Sequence, residues 1–275
     1  MKLLSAILSC LLMVSPAFAG ANSLKLHQGA YDSAAQRYFN SLVSNGCTTP
    51  TPDFKLAVSN YVKAEKVSGN WGNQDAEYIL ATADSCTASI NLAQPSLYKV
   101  TWNVSPPFTV QNGLPGDIAT QNGDTGVNLN ALTRLSQNNS HIDAWVAANK
   151  NAILGTLTAA NPFTFTNITN RTTRLTSNTV VIDTGDGNTA GLVASDRTNS
   201  TTISTYKNGV VVSNGIANNS SALSTNHVSI CSLASTFCSI GTNELFVGFG
   251  AAMNNESTHY TNVRNLLVAL GVTWI

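Results

Sequence analysis

Charge is scarce in this chain: Lys, Arg, Asp and Glu supply 10% of its 275 residues, and 14 basic side chains cancel 14 acidic ones. Nucleic-acid binding needs a basic stripe to neutralise phosphates, and adhesion to an acidic membrane needs a basic patch, so neither partner is expected. Apolar runs are short as well. Beyond Ala19 no stretch approaches the roughly twenty uninterrupted apolar residues that cross a bilayer, and no membrane insertion is expected. Catalytic signatures are also missing. There is no Gly-x-Ser-x-Gly elbow and no His-x-x-x-His pair among His27, His141, His227 and His259. The Glu-x-Asp-x-x-Glu strand that carries the carboxylate pair of sandwich glycosidases is absent, and Glu65, Glu77, Glu244 and Glu256 are scattered along the chain. The expectation is a protein that is not an enzyme.

What is present begins with Lys2, an apolar core through Val14, then Pro16 and Ala17-Phe18-Ala19. This reads as a secretory signal peptide over residues 1–19, cleaved after Ala19 to release a secreted, periplasmic or extracellular chain. Cys10 leaves with it. Cys47, Cys86, Cys231 and Cys238 remain, an even number suited to an oxidising compartment. Three pairings are open, of which Cys47–Cys86 and Cys231–Cys238 are favoured. Zinc is the rival, but neither pair has Cys-x-x-Cys spacing and no His stands beside either.

Helices are expected over Asp32–Val43, Pro52–Val67 and Asn73–Thr82, the second capped by Thr51, with Pro52 in its first turn and Gly69 ending it. From Ile90 the pattern changes to short alternating runs. Leu97–Trp102, Ser140–Val146, Thr179–Ile182 and Gly191–Ala194 read as strands between segments rich in Asn, Gly, Asp and Thr. Thr202–Val212 is a hairpin about Asn208-Gly209, the dipeptide that supplies the positive φ angles of a type I′ turn. Tyr260, Val263, Leu266, Leu267 and Leu270 then recur at helical spacing within an expected helix over Ser257–Leu270. The chain divides into a signal peptide (1–19), a helical lead-in (20–89) and a β-rich domain (90–275).

Tyr206-Lys207-Asn208-Gly209-Val210, Val247-Gly248-Phe249-Gly250 and Ala269-Leu270-Gly271 follow one another in the order of the LamG-like, concanavalin A-like jelly-roll proteins of bacteriophage and bacterial surfaces. The lead-in pieces Lys66-Val67-Ser68-Gly69-Asn70-Trp71, Ala76-Glu77-Tyr78 and Ile90-Asn91-Leu92 look like the same proteins. The resemblance implies a mainly β fold: a jelly-roll β-sandwich preceded by a short helical segment and closed by a C-terminal helix. That fold hosts lectins, glycosidases and structural modules alike.

Asp183, Asp186 and Asn188 form the one candidate ligand site, a loop whose oxygens would suit calcium. Asp and Gly also build tight turns, so a plain strand connection is the simpler reading. No other cofactor is expected. His141 reads as an exposed polar position in the alternation of its strand, and at least two of Trp71, Trp102, Trp145 and Trp274 are expected to be buried. The function expected is a non-enzymatic recognition or adhesion module for a glycan or other cell-surface component. Its alternatives are a structural subunit of a virion or appendage, associating with itself or with other subunits through the helical segment, and a polysaccharide hydrolase with an atypical carboxylate pair.

Overall fold

The computed structural model describes residues 31–115, 121–146, 152–156, 163–167, 171–177, 181–183, 190–233, 236–237 and 243–275. The signal-peptide segment lies outside them. In chain order come α1 (Ser33–Ser44), α2 (Pro52–Ser68), β1 (Gln74–Ile79), α3 (Ser85–Ser89), β2 (Thr101–Trp102), β3 (Gly123–Asn128), β4 (Ser140–Val146), β5 (Ala152–Thr156), β6 (Thr164–Asn167) and β7 (Arg171–Arg174). They continue with β8 (Val181–Asp183), β9 (Gly191–Arg197), β10 (Thr202–Lys207), β11 (Val210–Ala217), β12 (His227–Ile230), β13 (Ser232–Leu233), β14 (Thr236–Phe237), β15 (Glu244–Gly250) and α4 (Glu256–Ala269).

The strands build a β-sandwich. One sheet has six strands in the order β1-β15-β4-β9-β10-β11, the other seven in the order β2-β3-β12-β5-β6-β7-β8, and the pairings are antiparallel. Ile142, Ala144 and Val146 of β4, with Val193, Ile203, Val247 and Phe249, meet Val127, Leu154, Val228 and Ile230 of the second sheet in the main core. A second core lies on the outer face of the six-stranded sheet. There Tyr38 and Leu42 of α1, Val58 and Val62 of α2, and Val263, Leu266 and Leu267 of α4 cover Ile79, Trp145, Leu192 and Phe246. Strands β1, β15, β4 and β9 of the six-stranded sheet are thus buried on both faces, with no exposed position along their length.

Helix ends follow the sequence. Asp32 caps α1 by accepting from the Ala34 amide at 2.7 Å, Thr51 caps α2 through the Phe54 amide, and Gly69 closes α2 in the left-handed region. The Asn208-Gly209 turn also forms as expected, with φ of 50° and 74°.

Four expectations fail, one of them at His141 in the site described below. Asn73–Thr82 is not a helix: Gln74–Ile79 is strand β1, paired with β15. Its charged Asp75 and Glu77 imitate an amphipathic surface helix. The period is nevertheless two, with Ala76 and Tyr78 in the inter-sheet core and Ile79 in the helix-side core. Of Leu97–Trp102, only Thr101–Trp102 pairs, because Tyr98 adopts a φ of 59° that breaks the extended backbone. Among the tryptophans, Trp145 alone is buried, at 2% exposed; Trp71 and Trp102 are half-buried and Trp274 is 37% exposed.

Cys47 and Cys86 form a disulfide. Cys231 is disulfide-bonded too, and Cys238 lies outside the described residues. A disulfide belongs in an oxidising environment. No helix among the described residues is long and apolar enough to cross a membrane.

Candidate functional site

Asp183 ends β8, whereas Asp186 and Asn188 lie outside the described residues, so the geometry of the calcium loop is not defined. Two other places gather polar side chains.

The first is a cleft of about 790 Å³ between α1, the segment leading into β2, and the loop before β4. On α1, Ala34, Ala35, Tyr38, Phe39 and Leu42 point inward, which leaves Arg37, Asn40, Ser41 and Ser44 as a polar stripe at i, i+3, i+4 and i+7. Facing it are Gln94, Lys99 and Arg134. Ser41 Oγ donates to the Pro95 carbonyl at 2.9 Å and Lys99 Nζ donates to Asn45 Oδ1 at 3.0 Å, which ties the two walls together. Arg134 is held from behind by Asp75, whose carboxylate lies 3.6 Å from its guanidinium and also accepts from the Leu135 amide at 2.7 Å. The cleft lining is cationic and amide-rich and, among the described residues, contains no carboxylate.

The second is a sealed network beneath α4. Because side chains alternate along β4, His141 and Asp143 share the outward face with Trp145. His141, read from sequence as exposed, is 0% exposed, because the helix layer covers the face that strand alternation alone would leave to solvent. The scattered carboxylates also meet here. Glu65 from α2, Glu77 from β1 and Glu256 from α4 join Asp143 and Asp196 around His141 and His259; Glu244, at the start of β15, is buried outside the contacts described below.

His259 Nε2 lies 2.6 Å from Asp143 Oδ2, and its Nδ1 lies 3.2 Å from Glu65 Oε2. Asn262 Nδ2 donates to the other Glu65 oxygen at 2.7 Å. His141 Nδ1 stands 2.8 Å from Asp196 Oδ1 and 3.1 Å from Glu256 Oε1. Tyr61 donates its hydroxyl to Glu77 Oε1 at 2.8 Å.

Burial opposes charge throughout this network, and each group's neighbours decide the outcome. Burial works against the imidazolium of His141, but Glu256 and Asp196 outweigh it and raise its pKa well above the ordinary value. Glu65 and Asp143 do the same for His259. Burial would raise Asp143, yet the nearby His141 imidazole and the hydrogen bond with His259 hold it well below the usual carboxylate range. Burial and then Glu65 push Glu77 up to about 8, and burial and then Glu256 push Asp196 up to about 7. Two donor sets converge within 4.8 Å, His141 with Asp143 and His259, and His141 with Asp196 and Glu256.

Sequence reasoning passed over His259, Asn262 and both cleft walls. The signals were present. Glu256, His259 and Val263 follow one another at spacings of three and four on the face that Leu266 and Leu267 bury, where a surface helix places apolar residues.

No family model and no curated protein matches the chain. Solved structures do. A mutant of HCR/D aligns at a TM-score of 0.50 and 9% identity, over 70% of this chain and 52% of that one. The botulinum neurotoxin serotype D ligand-binding domain in complex with N-acetylneuraminic acid gives 0.44 and 13%, over 72% and 51%. Domain 4 of AbnA, an extracellular arabinanase from Geobacillus stearothermophilus, in complex with arabinotriose, gives 0.38 and 12%, over 68% and 97%. The chain spans about half the length of the first of these structures. At such identity the likeness shows fold alone, and the class it defines is the β-sandwich.

Proposed function

We propose that the protein is an exported, non-enzymatic carbohydrate-binding module whose ligand occupies the cleft between α1 and the segment leading into β2. The observation that carries this reading is the meeting of Arg37, Asn40, Asn45, Gln94, Lys99 and Arg134 around one opening. Amide and guanidinium groups offer the fixed donors and acceptors that pair with vicinal hydroxyls, and the cations favour a sugar bearing a carboxylate. Binding without hydrolysis is supported by the same lining. Glycoside hydrolysis needs two carboxyl groups flanking the bond; among the described residues none lines the cleft, and the carboxylates gathered around the two histidines are sealed under α4. The loop of Asp183, Asp186 and Asn188 is a secondary place for calcium.

A glycan array of the disulfide-bonded protein, with calcium and with a calcium-selective chelator, tests the proposal. Selective retention of acidic glycans is expected. A blank array overturns the reading, and binding lost on chelation moves the contact to the calcium loop.

Assembly into a surface or virion structure is a second reading, favoured by β11. It is an edge strand of the six-stranded sheet, with Val210 and Val211 68% and 50% exposed. Light scattering that shows a large oligomer indifferent to sugars would favour it.

A further inference from the structure

The network beneath α4 has an order that charge pairing alone does not require. Glu77, Gly248 and Asp143 lie in one row across β1, β15 and β4, and Gly250, His141 and Asp196 lie in the next row across β15, β4 and β9. A Cβ at position 248 would collide with Asp143 Oδ1, so the glycine makes room for that carboxylate. Each imidazole then presents Nδ1 to carboxylate, Glu65 for His259 and Asp196 with Glu256 for His141. Both turn Nε2 toward one oxygen, Asp143 Oδ2, at 2.6 and 3.7 Å.

That is how metal-binding histidines are held: the far nitrogen gives its hydrogen to a carboxylate, which fixes the tautomer and aims the other nitrogen at the ion. Tetrahedral zinc with ligands at 2.0–2.1 Å spaces them by about 3.3 Å, between the two separations seen here. His141 Nε2 at this focus is fully buried with no hydrogen-bond partner, and so are Asp143 Oδ1, which lies against Gly248, and Glu77 Oε2 on the other side of that glycine.

We infer that His141 Nε2, His259 Nε2 and Asp143 bind a zinc-class divalent cation that fastens α4 to the six-stranded sheet. Glu65, Asp196 and Glu256 orient the two imidazoles. The fourth position falls to water or to Glu77, one strand beyond Gly248. All three ligands are 0% exposed, so the ion is structural, with no opening to a substrate.

The test uses the full disulfide-bonded protein, made without a metal-affinity tag, equilibrated with zinc and dialysed. About one zinc per chain is expected by elemental analysis, with a melting temperature about 5–10 °C above the chelator-treated protein. Cobalt in place of zinc should give visible bands of a four-coordinate ion. His259→Gln should abolish both signals, and His227→Gln, at an exposed histidine, should leave them intact. Folded protein that takes up neither metal overturns the inference, as does uptake unchanged in His259→Gln. Should His259→Gln fail to fold, the cobalt spectrum of the unaltered protein decides, and its absence is the contrary result.

Discussion

Asp84 shows how much one side chain organises. Its carboxylate caps α3 by accepting from the Cys86 and Thr87 amides at 3.0 and 3.3 Å, and it takes the Thr87 hydroxyl at 2.8 Å and the Thr48 amide at 3.0 Å. Burial tends to raise its pKa, but the hydrogen bonds from Thr48, Thr87 and Cys86 outweigh it and lower the value. A carboxylate with a depressed folded-state pKa adds stability above its unfolded pKa and loses it as pH falls through the folded value. Stability should therefore decline below about pH 4, and Asp84→Asn should flatten that part of the profile. Urea unfolding at pH 3 and pH 6 reads the difference, and an unchanged slope would contradict it. At this scale the sequence was least legible. Alternation along β4 says that His141 and Asp143 share a face, but not that α4 covers it; long-range packing, absent from local pattern, makes that decision.

Among the elements, the β10–β11 hairpin was the plainest in sequence, because its turn is fixed by two residues in contact. Asn208 adds a tertiary role: its amide donates to the Leu192 carbonyl at 2.8 Å and its Oδ1 accepts from the Leu192 amide at 3.0 Å. Gly209 matters twice, for a φ of 74° and because a Cβ there would stand 2.6 Å from Ser257 Cα at the start of α4. Gly209→Val should destabilise by about 1–3 kcal/mol in denaturant unfolding, through both the turn and the helix contact. A change under 0.5 kcal/mol would show that the hairpin tip and α4 do not pack. The α2 and α4 helices were legible from caps and period, while β1 was not. Six residues of mixed polarity carry too few periods to separate strand from helix when both strand faces are buried.

For the whole molecule, the arrangement is helices on a six-stranded sheet on a seven-stranded sheet, with the polar cleft where α1 meets the chain entering the sandwich. The Cys47–Cys86 disulfide joins α1's end to α3 across 39 residues, a closure worth about 3–4 kcal/mol in the chain-entropy model, and it steadies the cleft. The sandwich was legible as a class because many short runs between turn residues permit little else. The cleft was not, since its two walls are over fifty residues apart in the chain, as the 54-residue separation of Ser41 and Pro95 shows. The most direct measurement is calorimetric titration of an array-selected acidic glycan into the unaltered protein and into Arg37→Ala/Lys99→Ala. The cleft reading predicts an affinity loss of tenfold or more with an unchanged melting temperature. Equal affinity in the two proteins would contradict it.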